Sequence, residues 1–104
     1  MPRMNQTEKN IRRLIEIRDL AVETERGDLS GEKLMELSHE AVELAENSDI
    51  IDVSKHDVLK QLMSHEIKSF KRLLDSDMSD EAHVENLMFF CVSVIAIIHG
   101  KIDI

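Results

Sequence analysis

Leu87-Met88-Phe89-Phe90-Cys91-Val92-Ser93-Val94-Ile95-Ala96-Ile97-Ile98 is a run of twelve residues without a charge, a glycine or a proline, in a chain of which 33% is charged. Water has to be kept off it, and what covers it decides the fold. Placed on a helix at about 100° per residue, the region puts Val84, Leu87, Met88, Cys91, Val92, Val94, Ile95 and Ile98 on one broad face. That set is already a full core stripe. Phe89, Phe90 and Ile97 fall on the other side, where Glu85, Asn86 and Ser93 are the polar company. A helix apolar nearly all round is central in its domain or shared between chains. Contiguous apolar patches of that size are uncommon on monomers, so a second surface is expected, with Phe89, Phe90 and Ile97 at the interface. The run is shorter than the ~20 residues a bilayer span needs, and Glu85-Asn86 and His99-Gly100-Lys101 close it, so no membrane partner is expected. Its composition would also suit a strand. A lone strand has nothing to pair with in a chain that otherwise reads as helix, which favours the helix.

Three more helices precede this one. Thr7 with Glu8 and Asn10 suits a helix start, and Ile11, Leu14, Ile15, Ala21 and Val22 recur at helical spacing before Gly27. Gly27-Asp28-Leu29-Ser30-Gly31 is turn chemistry, with Ser30 as N-cap for a helix carrying Leu34, Leu37, Ala41, Val42, Leu44 and Ala45. Ser54-Lys55-His56-Asp57 has capping-box spacing ahead of Val58, Leu59, Leu62, Met63, Ile67, Phe70, Leu73 and Leu74. Ser79 caps the last helix, Asp80 and Glu81 suit the positive end of its dipole, and Gly100 stops it. The expected helices cover about 7–26, 31–47, 55–74 and 80–99, in one all-α domain: an antiparallel four-helix bundle, dimeric through the C-terminal helix. Arg18 and Glu66 each fall in the middle of an apolar face. A lone buried charge is costly and a well-bonded pair offsets most of that cost, so Arg18 and Glu66 are expected to form a buried ion pair.

With 104 residues, 42% of them hydrophobic, the chain should fold despite a formal net charge of -8. That charge disfavours direct nucleic-acid binding, which draws on clustered Lys and Arg. It permits a basic protein surface as partner, or nucleic-acid mimicry by the Glu and Asp of the first two helices. The single cysteine, Cys91, reads as a buried free thiol of a reducing compartment. No basic-then-apolar leader is recognisable either, so the cytoplasm is the expected location. Gly-rich phosphate loops, hydrolase elbows and paired cysteines are missing, so neither turnover nor a cofactor is expected. Glu36-Leu37-Ser38-His39 has the Glu-x-x-His spacing of di-iron bundles, but a second such pair is lacking and no metal site is expected.

Met63-Ser64-His65-Glu66-Ile67-Lys68-Ser69 is the most specific stretch. On its helix His65 lies at a solvent edge, as a nucleophilic imidazole must, with Lys68 and Ser69 on the same side. A cation there would help hold phosphate, and a small residue would leave it room. The stretch resembles the phosphoacceptor segment of two-component signalling proteins. It is similar to the His-Glu-[hydrophobic]-Lys/Arg-[Ser/Thr] box of histidine-kinase dimerisation domains and to the His-x-x-Lys-[small] motif of histidine phosphotransfer domains. The resemblance is confined to this stretch, and implies a four-helix architecture with His65 as phosphoacceptor beside Lys68 and Ser69. Phe70 stands where the kinase box continues with proline, Glu66 points to the expected core, and no ATP-binding region follows. The reading is therefore a small acidic helical module that binds another protein as inhibitor, adaptor or regulator. A phosphorelay protein using His65 and a nucleic-acid mimic are the alternatives.

Overall fold

The helical spacing of apolar residues resolves into four helices. A computed structural model describes residues 6–23, 31–51 and 53–101. These form α1 (Gln6–Glu23), α2 (Gly31–Glu46), a 3-10 turn (Val53–Lys55), α3 (His56–Leu74) and α4 (Asp80–His99), and no strand occurs among the described residues. The expected extension of the first helix to residue 26, the stop at Gly27 and the cap at Ser30 lie outside the described residues.

Local chemistry accounts for the ends of α4. The Ser79 Oγ accepts the Ala82 N–H at 3.2 Å. At the other end Gly100 adopts φ 69, ψ 26, a left-handed conformation that a Cβ would strain. The Gly100 and Lys101 N–H groups then reach back to the Ile97 and Ala96 carbonyls, each at 3.0 Å. The Ile51 N–H donates to the Ile98 carbonyl at 2.8 Å, which ties the segment after α2 to the end of α4. The capping-box expectation at α3 is corrected. Ser54 sits inside the 3-10 turn, and Lys55 occupies the N-cap position without a side-chain cap bond.

Both α2 and α4 pack against every other helix, whereas α1 and α3 do not meet. By length and apolar composition α4, with 20 residues and mean hydropathy 1.6, could cross a membrane. Here three helices of its own chain pack on it. Leu87, Cys91, Val94 and Ile98 are fully buried, and Phe90 stacks on Phe70 with ring centroids 4.3 Å apart and 12° between planes. Phe90 and Ile97, expected at an interface, are each 2% exposed inside a single chain. The reason is the neighbour α3, which widens the buried arc of α4 toward that side. Of the three expected interface residues only Phe89 stays outside, 53% exposed.

The expected Arg18–Glu66 pair is not formed. On α1 the buried residues are Thr7, Asn10, Ile11, Leu14, Ile17 and Ala21, which places Arg18 at the margin. Its guanidinium bonds Asp19 instead, Nη2 to Oδ1 at 3.1 Å. On α3 the stripe is Leu59, Met63, Ile67, Phe70 and Leu74, with Glu66 half-buried at its edge. Helices that do not touch cannot bring their side chains into an ion pair, and long charged side chains at a margin reach water instead.

Polar contacts fix α1 against α2. The last carbonyls of a helix lack partners within it. Near the end of α2, the buried Asn10 of α1 donates to Ser48 Oγ at 3.1 Å and to the Leu44 and Asn47 carbonyls at 3.4 Å. Its own oxygen accepts from Gln6 Nε2 at 2.9 Å. The Asp49 N–H donates to Thr7 Oγ1 at 3.1 Å. The start of α1 therefore lies at the end of α2, and the two run in opposite senses. Midway along, Arg13 forks onto Glu40 through Nε–Oε2 and through Nη2–Oε1 at 2.9 Å. That contact raises the guanidinium pKa above its ordinary value and lowers the carboxyl pKa.

Neighbouring phenylalanines should respond oppositely to truncation. Phe90→Ala is expected to cost about 3–5 kcal/mol in urea unfolding, because it empties the stacked core. Phe89→Ala, measured at a concentration too low for chains to associate, should change stability by less than about 1 kcal/mol.

Candidate functional site

A helix surrounded by three others keeps one outward side, and α2 and α4 use theirs differently. The exposed side chains of α2 are Glu32, Lys33, Glu36, His39, Glu43 and Glu46, all polar. The exposed side chains of α4 are Asp80, Glu81, Glu85, Phe89, Val92 and His99, with Met88, Ile95 and Ala96 half-buried beside them. Val92, which the sequence reading assigns to the core, is 45% exposed, less than one helical turn from Phe89. A large aromatic ring and a branched aliphatic chain thus stand on the one outward side where the equivalent helix shows only polar groups. Sequence reasoning found Phe89 and missed Val92, because both fall on apolar arcs and only the neighbours decide which arc is covered.

The second candidate is the His65 segment. His65 and Lys68 are exposed and Ser69 is half-buried, with Gln61 and Arg72 exposed on the same stretch. Within an acidic chain this helix is locally basic: Lys60, Lys68, Lys71 and Arg72 stand against Asp57 and Glu66. Lys71 pairs with Glu46 of α2 at 3.7 Å. Lys60, Ser64, Lys68 and Lys71 line a groove of ≈ 630 Å³ against the end of α2. His65 is not among the residues lining that groove. The imidazole is reachable by a second protein, and the nearby cations suit an anionic group.

A third pair was not anticipated. Ser38 of α2 and His83 of α4, both buried, lie 2.8 Å apart, Oγ to Nε2. Ser38 donates its proton to the Leu34 carbonyl at 2.7 Å. Its Oγ must therefore accept from His83, which requires the neutral ring to carry its proton on Nε2. In a nucleophilic Ser–His pair the imidazole accepts the serine proton, the reverse of this polarity. With Ser38 fully buried as well, the pair joins two helices. Ser38 lies among the buried residues of α2, beside Leu37 and Ala41. His83 lies seven residues before Phe90 on the buried side of α4.

Cys91 is fully buried, and burial pushes its thiol pKa up to about 12 against the opposing effect of Arg18. Such a thiol is a packing group and not a nucleophile. Glu36 and His39 both point to solvent, and Glu36 lies 3.6 Å from Lys33. Among the described residues no three His, Cys, Asp or Glu side chains are grouped to hold a metal ion. No family model matches the chain, and the searches of curated proteins and of solved structures found no match either.

Burial lowers the His83 pKa below its ordinary value, with Asp80 acting the other way. The unfolded chain then binds the proton more readily than the folded one, so stability rises with pH. The His83 contribution should be complete above about pH 6.5 and be lost as pH falls through that value toward the folded pKa. Thermal melts between pH 7 and 5 should show this decline, and His83→Gln should flatten it. The Glu40 carboxyl, whose pKa is lowered by Arg13, loses its contribution only in a more acidic range.

Proposed function

We propose that the chain is a small acidic protein-interaction module acting as an inhibitor, adaptor or regulator, an antiparallel four-helix bundle with a docking surface on the outer side of α4. The observation that carries this reading is the exposure of Phe89 and Val92 on a helix whose counterpart, α2, turns only polar groups to water. Burying a side chain of that kind contributes roughly 1.5–3 kcal/mol, which leaving it in water forgoes. A net charge of -8 favours a protein partner over nucleic acid. The inert buried thiol is at home in the reducing cytoplasm. No cofactor is needed for this role.

A photo-crosslinking residue at position 89, introduced in the producing cell, should give a discrete protein adduct. The same residue at position 36 on α2 should give none. Absence of any adduct at 89, or equal labelling from both positions, would remove the docking surface.

The exposure of His65 beside Lys68 and Arg72 favours a second reading, in which the chain is a phosphorelay intermediate. A phosphorylated response regulator would transfer its phosphoryl group to the His65 imidazole, with Lys68 balancing charge and Ser69 leaving room. The expected result is acid-labile phosphate on the chain, abolished by His65→Gln and reduced about tenfold by Lys68→Ala. No transfer from several regulators would set this reading aside.

A further inference from the structure

Glu85, Phe89, Val92, Ala96 and His99 follow one another at steps of four, three, four and three along α4. That is the seam spacing with which one helix packs lengthwise on another. All five are exposed or half-buried on its outer side. Among the described residues charge is divided along the seam: Asp80, Glu81 and Glu85 stand at its start, the cation Lys101 just past its end, and no charged residue lies between them.

We infer that the occupant of this face is a second copy of the chain, its α4 running antiparallel about a two-fold axis close to Phe89 and Val92. The inference rests on the docking surface proposed above and adds the partner and its direction. In this arrangement each apolar middle covers the other, with the Phe89 ring level with Val92 of its mate. Glu81 and Glu85 of each helix lie along Lys101 of the other, twice by symmetry. Parallel pairing would set Glu81 and Glu85 against their own copies and forfeit the attraction. A seam with its carboxylates at one end and its cation at the other is its own complement only when reversed. A different partner would need the opposite polarity built into its own sequence.

Sedimentation of the full chain at micromolar concentration should give the mass of two copies. Replacing Phe89 and Val92 together by Ser should weaken the pair at least about hundredfold while the helical circular dichroism of the monomer persists. Glu85→Lys should weaken it about tenfold, and adding His99→Glu with Lys101→Glu to the same chain should restore it. Cysteines report the direction, because the native Cys91 is buried. Val92→Cys should couple to its own copy through a short bismaleimide. Glu81→Cys should not, since antiparallel helices set the two sites about 30 Å apart, but should couple to Lys101→Cys in a mixture. A monomer throughout the micromolar range would overturn the second copy, and the docking surface would then stand or fall on the position-89 adduct. A dimer unaffected by the double Ser variant would overturn α4 as its seat, and self-coupling of Glu81→Cys would overturn the antiparallel direction.

Discussion

The burial of α4 by three other helices is the constraint on which the rest of the structure depends. Its residues are too apolar for water on almost any side, yet α1, α2 and α3 cover only part of its circumference. The Phe70–Phe90 stack shows how the cover is made on one flank: two rings 4.3 Å apart bring α3 down on α4. Aromatic pairs in this offset arrangement add to simple area burial and fix the approach of the two helices.

Around that apolar centre the polar contacts choose one arrangement among several that would bury similar area. Asn10 satisfies carbonyls near the end of α2 from inside the interface, where an unpaired acceptor costs about 1–3 kcal/mol. The Arg13–Glu40 fork has better geometry but a weaker claim on stability. Both side chains are more than a third exposed, and water and salt screen a pair so placed. The Ser38–His83 contact is buried and joins two helices far apart in sequence, so it acts on register more than on energy.

The same geometry leaves an asymmetry between the two central helices. A charged outer side on α2 and an apolar one on α4 cannot both be solutions to the same problem of solubility. The α4 side is better suited to a protein surface, and its 4-3-4-3 spacing suits another helix.

Helix existence and most helix limits were legible in the chain itself, because spacing, Ser79 and Gly100 act within a few residues of one another. So was the presence of an outward apolar side on α4, through Phe89. Three assignments failed for one reason: the wheel gives the direction of an apolar face but not how far neighbours wrap around it. Counting Val22 and Val58 as core drew the expected centres toward Arg18 and Glu66, although both valines are exposed. Phe90 and Ile97 moved inward because α3 covers that flank, and Val92 moved outward because nothing among the described residues covers the other. The sequence by itself determined that four helices form and that the last is the most apolar. Only the tertiary structure decided which arc of each helix is buried, because burial at a margin depends on residues far away in the chain.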